Sequence, residues 1–430
     1  MLVIPLYSIS SSVAVSCKKL MRIVKRRSWT KILVITLALL GLVAGYAYWS
    51  LNRPLPTLKP QVIQSQLQAV SSPSKFDWPA TGQASIGIVG TGVLESNAEQ
   101  SPSPTASTAK IITALVVLDK QPLAKGQQGP IITINADDVA RYHSYIAQDG
   151  SVTPVTLGEQ ISQYQVLQTV LLPSANNMAD TLAIWAYGSM DNYIAAANNY
   201  VAKHGLTQTH VGGDASGLAP QTVSSAKDLV LLGKLAMENP VVAEIVGQST
   251  ADNIPVAGTI KNVNFLLGTN GIVGVKTGNT EQAGGVFIGA AVMKINDKDV
   301  TIVSAVVGAP NRVSAMKSTL PIVDSARANF KTVPVTRSGD TVATYKLPWG
   351  GSIKAIAVKD LSLATWSGTP ASTKITLTPV AADKASSGKV VGSLSVPASA
   401  TNNKVSVGVK LSSAPSQPSK WWLLTHPFSD

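Results

Sequence analysis

The stretch Pro104-Thr105-Ala106-Ser107-Thr108-Ala109-Lys110-Ile111-Ile112-Thr113-Ala114-Leu115-Val116-Val117-Leu118 decides how the chain is read. Its proline-interrupted start gives way at Ser107 to an apolar run that predicts a helix reaching about Asp119. Ser107 and Lys110 stand three residues apart, a spacing that puts both side chains on one helical face. A serine hydroxyl needs a neighbouring base to attack at neutral pH. A lysine held away from water and near other cations has a lowered pKa and can be that base. A serine at a helix start also places a backbone N–H near any oxyanion formed on the carbonyl it attacks. Ser-x-x-Lys recurs at Ser16, Ser28, Ser72, Ser224, Ser314 and Ser386, so only its setting and its partners distinguish the copy at Ser107.

The surrounding chain narrows the setting. At 430 residues it has room for two or three domains. The net charge of +12 suggests a polyanion partner until it is located. Lys18, Lys19, Arg22, Lys25, Arg26, Arg27 and Lys31 carry +7 with no acid among them, leaving +5 for everything after residue 31. No basic stripe interleaved with aromatics follows, so nucleic acid is not an expected partner. Ile32 to Asn52 is free of charge and ends in Tyr46, Tyr48 and Trp49, a run long enough to span a bilayer with aromatics at the interface. Positive charge before the span keeps the N-terminus in the cytoplasm and puts the rest outside. A cleaved signal peptide is the rival reading; the apolar run is longer than a usual signal core, and no clean small-x-small site follows it. Cys17, the single cysteine, allows no internal disulfide.

The expected organisation is a basic cytoplasmic leader (1–31), a transmembrane anchor (32–50), a Pro/Gln/Ser-rich linker (51–78) with little to bury, a catalytic domain (79–332) and a C-terminal β-sandwich (333–430). Within 79–332 the pattern predicts a hairpin at Ala84–Val89 and Gly92–Leu94, then the Ser107 helix. Short strands at Ile131–Ile134 and Ser151–Val155 flank a helix starting near Asp137. Helical periodicity returns over Gln160–Leu172, Asn176–Tyr187, Asp191–His204 and Lys227–Glu238. Apolar strands run from Gly271, from Gly284 to Met293 and from Val300 to Val307, before a helix at 313–329. Strands, a helical block, then strands and a closing helix imply an α+β fold: an antiparallel sheet covered by helices with a helical insertion. Beyond about Thr332, short alternating runs at Thr341–Leu347, Ser352–Val358, Lys374–Pro379, Lys389–Val396 and Lys404–Leu411 read as a small all-β sandwich.

Two further triplets bear on Ser107. Ser174-Ala175-Asn176 falls between two helices and can present a hydroxyl and an amide to one cleft; it also reads as a plain helix cap. Lys276-Thr277-Gly278 closes an apolar strand and offers a cation, a hydroxyl and an open backbone N–H, suited to a carboxylate; it also reads as an ordinary strand end. In the order Ser-x-x-Lys, Ser-x-Asn, Lys-Thr-Gly the three resemble the penicillin-binding and β-lactamase superfamily. The wording SPSPTASTAKIITALVVLD (101–119), LLPSANNMADTLA (171–183), GLAPQTVSSAKDLVLLGKLA (217–236) and VGVKTGNTEQAGGVFIGAA (273–291) is similar to the low-molecular-weight D-alanyl-D-alanine carboxypeptidases, the S11 serine peptidases. The resemblance covers about residues 79–330 and continues weakly into a β tail ending in WWLLTHP (421–427).

That resemblance implies a β-lactamase/DD-peptidase-like sheet with a helical subdomain. It implies attack by Ser107 on the carbonyl between the two D-alanines of a peptidoglycan stem peptide, with Lys110 as base and Ser174 relaying the proton to the leaving D-alanine. Asn176 would hold Lys110 and the substrate amide, and Lys276 and Thr277, opening into Gly278, would take the terminal carboxylate. The N–H groups of Ser107 and Asn279 would form the oxyanion hole, and β-lactams would acylate the same serine. No cofactor or metal is expected: His143, His204, His210 and His426 share no ligand spacing and none stands as a triad base. The family's usual Ser-Gly-Asn-Asp-Ala-Ala reads Ser-Ala-Asn-Asn-Met-Ala here, so Ala175 and Met178 are expected to reshape the cleft wall. The family's frequent C-terminal anchor helix is not evident, and the N-terminal span would replace it. A class A-type β-lactamase is disfavoured because no glutamate lies between Asn176 and Gly217. A DD-endopeptidase or transpeptidase uses the same chemistry, and an idle wall-binding protein would have no need to keep the site residues.

Overall fold

The computed structural model describes residues 11–63, 75–97, 99–295, 298–367, 372–396 and 404–427, with side chains from Trp29 onward. Cys17, the leader's basic residues up to Arg27 and linker residues 64–74 lie outside the described side chains. Five antiparallel strands form the sheet that carries the site, in the order 272–280, 284–295, 298–309, 83–88, 92–96. Strand Gly284–Ile295 shows why it sits centrally. Phe287, Ala291 and Met293 enter one core with Met316 and Ile322 of helix Arg312–Asn329, while Val286, Ile288 and Ala290 enter another with Leu229 and Leu232 of helix Ala226–Glu238. Successive side chains of a strand face opposite ways, so a strand apolar at every position needs cover on both faces.

The helical block follows from its caps. Asn135 and Ser162 close capping boxes at Ala136–Ala147 and Gln163–Leu171, and Ser189 and Ser225 cap Met190–Lys203 and Ala226–Glu238. A helix over Pro240–Val246, absent from the sequence reading, starts where the previous one stops: Asn239 accepts from the N–H groups of Val241 and Val242, with proline in the first turn. The strand predicted at Ser151–Val155 does not form. Gln160–Ser162 pairs with Ile131–Thr133 instead. Residues 150–155 run as irregular chain because the Asn177 side chain takes both backbone groups of Thr153, at 3.1 and 3.0 Å.

The β part is a six-stranded antiparallel sheet, ordered 374–377, 390–396, 405–411, 352–357, 341–346, 60–62. Ladders pairing 330–336 with 361–366 and 57–58 with 380–381 accompany it. The segment read as a tether is therefore partly structural. Pro60–Val62 is the edge strand against 341–346, and Leu58 is 2% exposed inside the β core. Full burial of one leucine contributes about 2 kcal/mol, enough to hold a short segment against its ordering entropy. Farther on, Phe76 packs between Trp78 (4.7 Å) and Trp366 (5.9 Å) beneath the catalytic sheet. Proline-rich composition hid this, because an extended proline segment is admitted only at a sheet edge and its own sequence does not say which edge.

One helix runs from Ser11 to Asn52. Its Trp29–Asn52 portion is 24 residues long with a mean hydropathy of 2.0, and its most apolar window is not buried in the protein, although Ser50 near its end is. A short helix at Lys420–Thr425, absent from the sequence reading, follows the last β strand. Tryptophans of the β part divide: Trp366 is core at 3% exposed, whereas Trp421 is 75% exposed.

Candidate active site

Ser107 lies in a 3-10 turn at Ala106–Ala109 that leads directly into the helix Lys110–Lys120. The side chain of Lys110 is wholly buried, and its Nζ reaches three oxygens: Ser107 Oγ at 2.9 Å, Asn176 Oδ1 at 2.7 Å and the Ser216 carbonyl at 2.9 Å. Asn176 opens the helix Asn176–Tyr187, so the first two motifs meet through this one amine. Ser174, two residues earlier and 5% exposed, adopts the left-handed conformation at φ +69°, a strain that non-glycine residues carry only where the surroundings hold it.

Burial pushes the Lys110 amine down to about 7; the carboxylates of Asp214 and then Asp180 oppose that shift without cancelling it. Asp214 organises the turn that supplies the third acceptor. Its two oxygens take the N–H groups of Ser216 (2.7 Å), Gly217 (2.6 Å) and Ala219 (2.6 Å), which leaves the Ser216 carbonyl free for Lys110. Gly217 is required there: at φ +74° a Cβ would fall 2.2 Å from the Ala106 carbonyl oxygen, one residue before Ser107. Asp180 takes the Ala215 N–H (3.0 Å) and the Tyr145 hydroxyl (2.7 Å), and burial raises its carboxyl to about 6.

The third motif closes the site from the sheet. Lys276, Thr277, Gly278 and Asn279 lie on the strand Ile272–Thr280, which packs along the Ala106–Ala109 turn. Gly278 marks the contact: a Cβ there would lie 2.9 Å from the Thr105 carbonyl oxygen and 3.2 Å from Ser107 N. Lys276 is 1% exposed, and among the described residues its amine makes one hydrogen bond, to the Thr277 carbonyl at 3.3 Å. Burial, and then the charges of Lys110 and Arg312, hold its pKa well below the ordinary lysine value. An arriving carboxylate would supply the missing counter-charge and draw a proton onto this amine. The Asn279 side chain accepts from the Arg312 N–H at 3.0 Å, fixing the strand end to the start of the next helix.

The structure therefore gathers Ser107, Lys110, Asn176, Gly278 and the residues flanking them around one point. It adds Ser216, Asp214, Asp180, Gly217 and Arg312, which the sequence reading did not single out. The signal for the first of these was the Asp214-Ala215-Ser216-Gly217 turn, an aspartate able to bond its own backbone ahead of a glycine. One expectation is corrected: Ala175 and Met178 do not shape the cleft wall, because both are fully buried in the helical core.

A Gly278→Ala variant should lose about 100-fold in acylation rate, since the strand or the nucleophile turn must move by a fraction of an ångström to admit the methyl. Thermal melting should fall only slightly; rates of penicillin acylation beside melting curves check both.

An antiparallel sheet, a helical block and a serine joined to a buried lysine define a serine-type peptidase of the penicillin-binding kind. A profile described as D-alanyl-D-alanine carboxypeptidase matches residues 83–311, more than half the chain, and the chain belongs to that family. It is similar to a D-alanyl-D-alanine carboxypeptidase of Mycobacterium tuberculosis, at 33% identity over 46% of this chain and 66% of that one. It is also similar to the D-alanyl-D-alanine carboxypeptidase DacC of Escherichia coli, at 27% identity over 72% of this chain and 74% of that one. Among solved structures it resembles penicillin binding protein 5 from Haemophilus influenzae in fold, with a TM-score of 0.55 and 20% identity, over 80% of this chain and 99% of that one.

Proposed function

We propose that this protein is a serine-type D-Ala-D-Ala carboxypeptidase that removes the terminal D-alanine from peptidoglycan stem peptides. The observation that carries the reading is the partner set of Lys110. As an ammonium, the amine has three hydrogens and three acceptors. As a neutral amine it keeps two N–H groups and one lone pair. The carbonyl oxygens of Asn176 and Ser216 can only accept, so they claim the two hydrogens. Ser107 is the one partner with a hydrogen to give, and the lone pair is left facing its hydroxyl.

The reaction then runs in two halves. Lys110 takes the Ser107 proton as Oγ bonds to the carbonyl carbon between the two D-alanines. The N–H groups of Ser107 and Asn279 hold the oxyanion. The C–N bond breaks, D-alanine leaves with a proton relayed through Ser174, and an ester remains on Ser107. Water adds to that ester as Lys110 takes its proton; the C–Oγ bond then breaks, Lys110 returns the proton to Ser107 Oγ, and the shortened peptide leaves as an acid that ionises in water. Lys276 and Thr277 hold the terminal carboxylate during the first half, and Asn176 steadies Lys110 and the substrate amide. A β-lactam would stop at the ester.

We further read Trp29–Asn52 as an N-terminal membrane anchor that places the enzyme on the outer face of a bacterial cell membrane. The catalytic domain is taken as 79–332, and the C-terminal β domain as 333–430 joined by strands from 57–62. The discriminating experiment measures D-alanine release from a D-Ala-D-Ala peptide beside nitrocefin turnover. Release of D-alanine with slow nitrocefin turnover is expected; fast nitrocefin hydrolysis without D-alanine would make the protein a β-lactamase. Transfer of the acyl group to an added amine in preference to water would make it a transpeptidase.

A further inference from the structure

Asn176 and Asp180 stand one turn apart on the helix Asn176–Tyr187, as Lys110 and Thr113 do on the helix Lys110–Lys120. Asn176 and Lys110 meet each other at 2.7 Å. Asp180 and Thr113 meet at neither of them but at Ala215. Asp180 takes the Ala215 N–H at 3.0 Å, and Thr113 donates to the Ala215 carbonyl at 2.6 Å. The Tyr193 hydroxyl backs Thr113 at 2.8 Å. The next carbonyl along the chain is that of Ser216, which faces the Lys110 amine at 2.9 Å, and the N–H of the same peptide, on Gly217, is held by Asp214. Successive peptides are thus fixed by Asp180, by Thr113 and by Asp214. The Ser216 carbonyl cannot turn from the amine without stripping a buried backbone group of its partner.

Asp180 also reaches outward. Its second oxygen accepts from the Tyr145 hydroxyl at 2.7 Å, and the adjacent Thr181 donates to Asp138 at 2.7 Å, so the helix Ala136–Ala147 is tied down at two neighbouring residues. Burial, and then the Asp180 charge, raises the Tyr145 hydroxyl well above its ordinary value, which keeps it a donor. The ionisable groups around Asp180 are Tyr145, Asp214, Lys110 and Tyr193; Arg141 lines the same cavity and is paired with Asp138. Asp180 itself is 6% exposed.

We propose that Asp180 is a positioning residue for acylation, which through Ala215 holds the Ser216 carbonyl against the Lys110 amine. This rests on the reading of Lys110 as the base that activates Ser107. The charge of Asp180 is a second lever. Burial raises its carboxyl only to about 6, so it is ionised where the amine titrates, and a carboxylate beside an amine favours the ammonium. Asp180 therefore trades some basic amine near neutral pH for a fixed acceptor.

The test follows acylation by a fluorescent penicillin across the acid limb and the plateau of the pH profile, with melting curves alongside. It uses the full-length chain in detergent as parent, Asp180→Asn, Asp180→Ala, Tyr145→Phe and Lys110→Met. Asparagine keeps an oxygen for the Ala215 N–H but has no charge. Its plateau should fall only a few-fold, and its acid limb should lie about half a pH unit or more below the parent's. Alanine leaves the Ala215 N–H bare, and its plateau should fall about 10- to 100-fold. Tyr145→Phe keeps the Ala215 bond and should lose less than Asp180→Ala. A parent-like limb in Asp180→Asn overturns the role of the charge, and this readout stands even where alanine prevents folding. A parent-like plateau in a folded Asp180→Ala overturns the positioning role and leaves Asp180 a packing residue. Equal plateau losses in Asp180→Ala and Tyr145→Phe overturn the route through Ala215. If Lys110→Met keeps the acid limb, Lys110 is not the base and the underlying reading fails with the proposal. A limb lost in Lys110→Met beside parent-like Asp180 variants removes the role of Asp180 alone.

Discussion

Ser107→Ala abolishes labelling by a fluorescent penicillin and lowers D-alanine release by on the order of 10⁵-fold or more. The size follows from what is lost. In the proposed mechanism the ester to Ser107 divides one difficult hydrolysis into two easier ones. Without Oγ, the Lys110 amine has no hydroxyl to activate, and its remaining contacts are the two carbonyl oxygens of Asn176 and Ser216. Ser174 is not an equivalent replacement, because the 2.9 Å contact to the amine belongs to Ser107. The proposed oxyanion donors and carboxylate-binding residues survive, so noncovalent substrate binding should persist while turnover disappears. The fold should survive too, since the change deletes one half-buried hydroxyl. Equal labelling of the variant and the parent would sink the serine acyl-enzyme mechanism outright.

Lys110→Met costs about 10²–10⁴-fold in acylation, the range of a lost general base, and removes the acid limb of the pH–rate profile. In the parent, acylation by a β-lactam should rise with pH through about 7, where the buried amine gives up its proton and its lone pair becomes available. Below that value the amine is an ammonium and cannot accept from Ser107. The variant has no such group, so its residual rate should be flat across the same range. Stability carries a linked signature. The folded-state pKa of Lys110 lies below the ordinary lysine value, so the unfolded chain binds more protons between about 7 and that value, and stability rises with pH across the window. Chemical denaturation at pH 7 and pH 9 should show this contribution in the parent and lose it in Lys110→Met. Methionine fills similar space but leaves the Asn176 and Ser216 oxygens short of a donor, so some loss of stability accompanies the loss of rate.

Much of the site was readable because its signals are local. Three residues along a helical turn place Lys110 beside Ser107 whatever the rest of the chain does. The run from Ile32 to Asn52 states its own length and lack of charge, and Asn176 and Lys276 each open or occupy an element visible from its own periodicity. What those local signals leave open is how far the lysine is from water. That depends on a turn about a hundred residues downstream, where Asp214 holds the Ser216 carbonyl against the amine, and on Asn176, sixty-six residues away. No pattern along the chain encodes the burial that brings Lys110 down to about 7.

The same division holds at the ends of the molecule. The proline-rich composition of residues 51–63 marks extended chain, but only the assembled sheet had an open edge for Pro60–Val62 and a core with room for Leu58. Trp421 and Trp422 are adjacent and alike in sequence, yet one packs against Trp349 while the other stays exposed. By itself the sequence placed Ser107 and Lys110 three residues apart and marked the apolar span, because each is set by spacing within a short stretch of chain. The tertiary structure decided the burial and partners of Lys110, the fate of the linker and the docking of the C-terminal helix against the N-terminal one. Each of these depends on desolvation or on hydrogen bonds between residues far apart in the chain, and those exist only once the elements have packed.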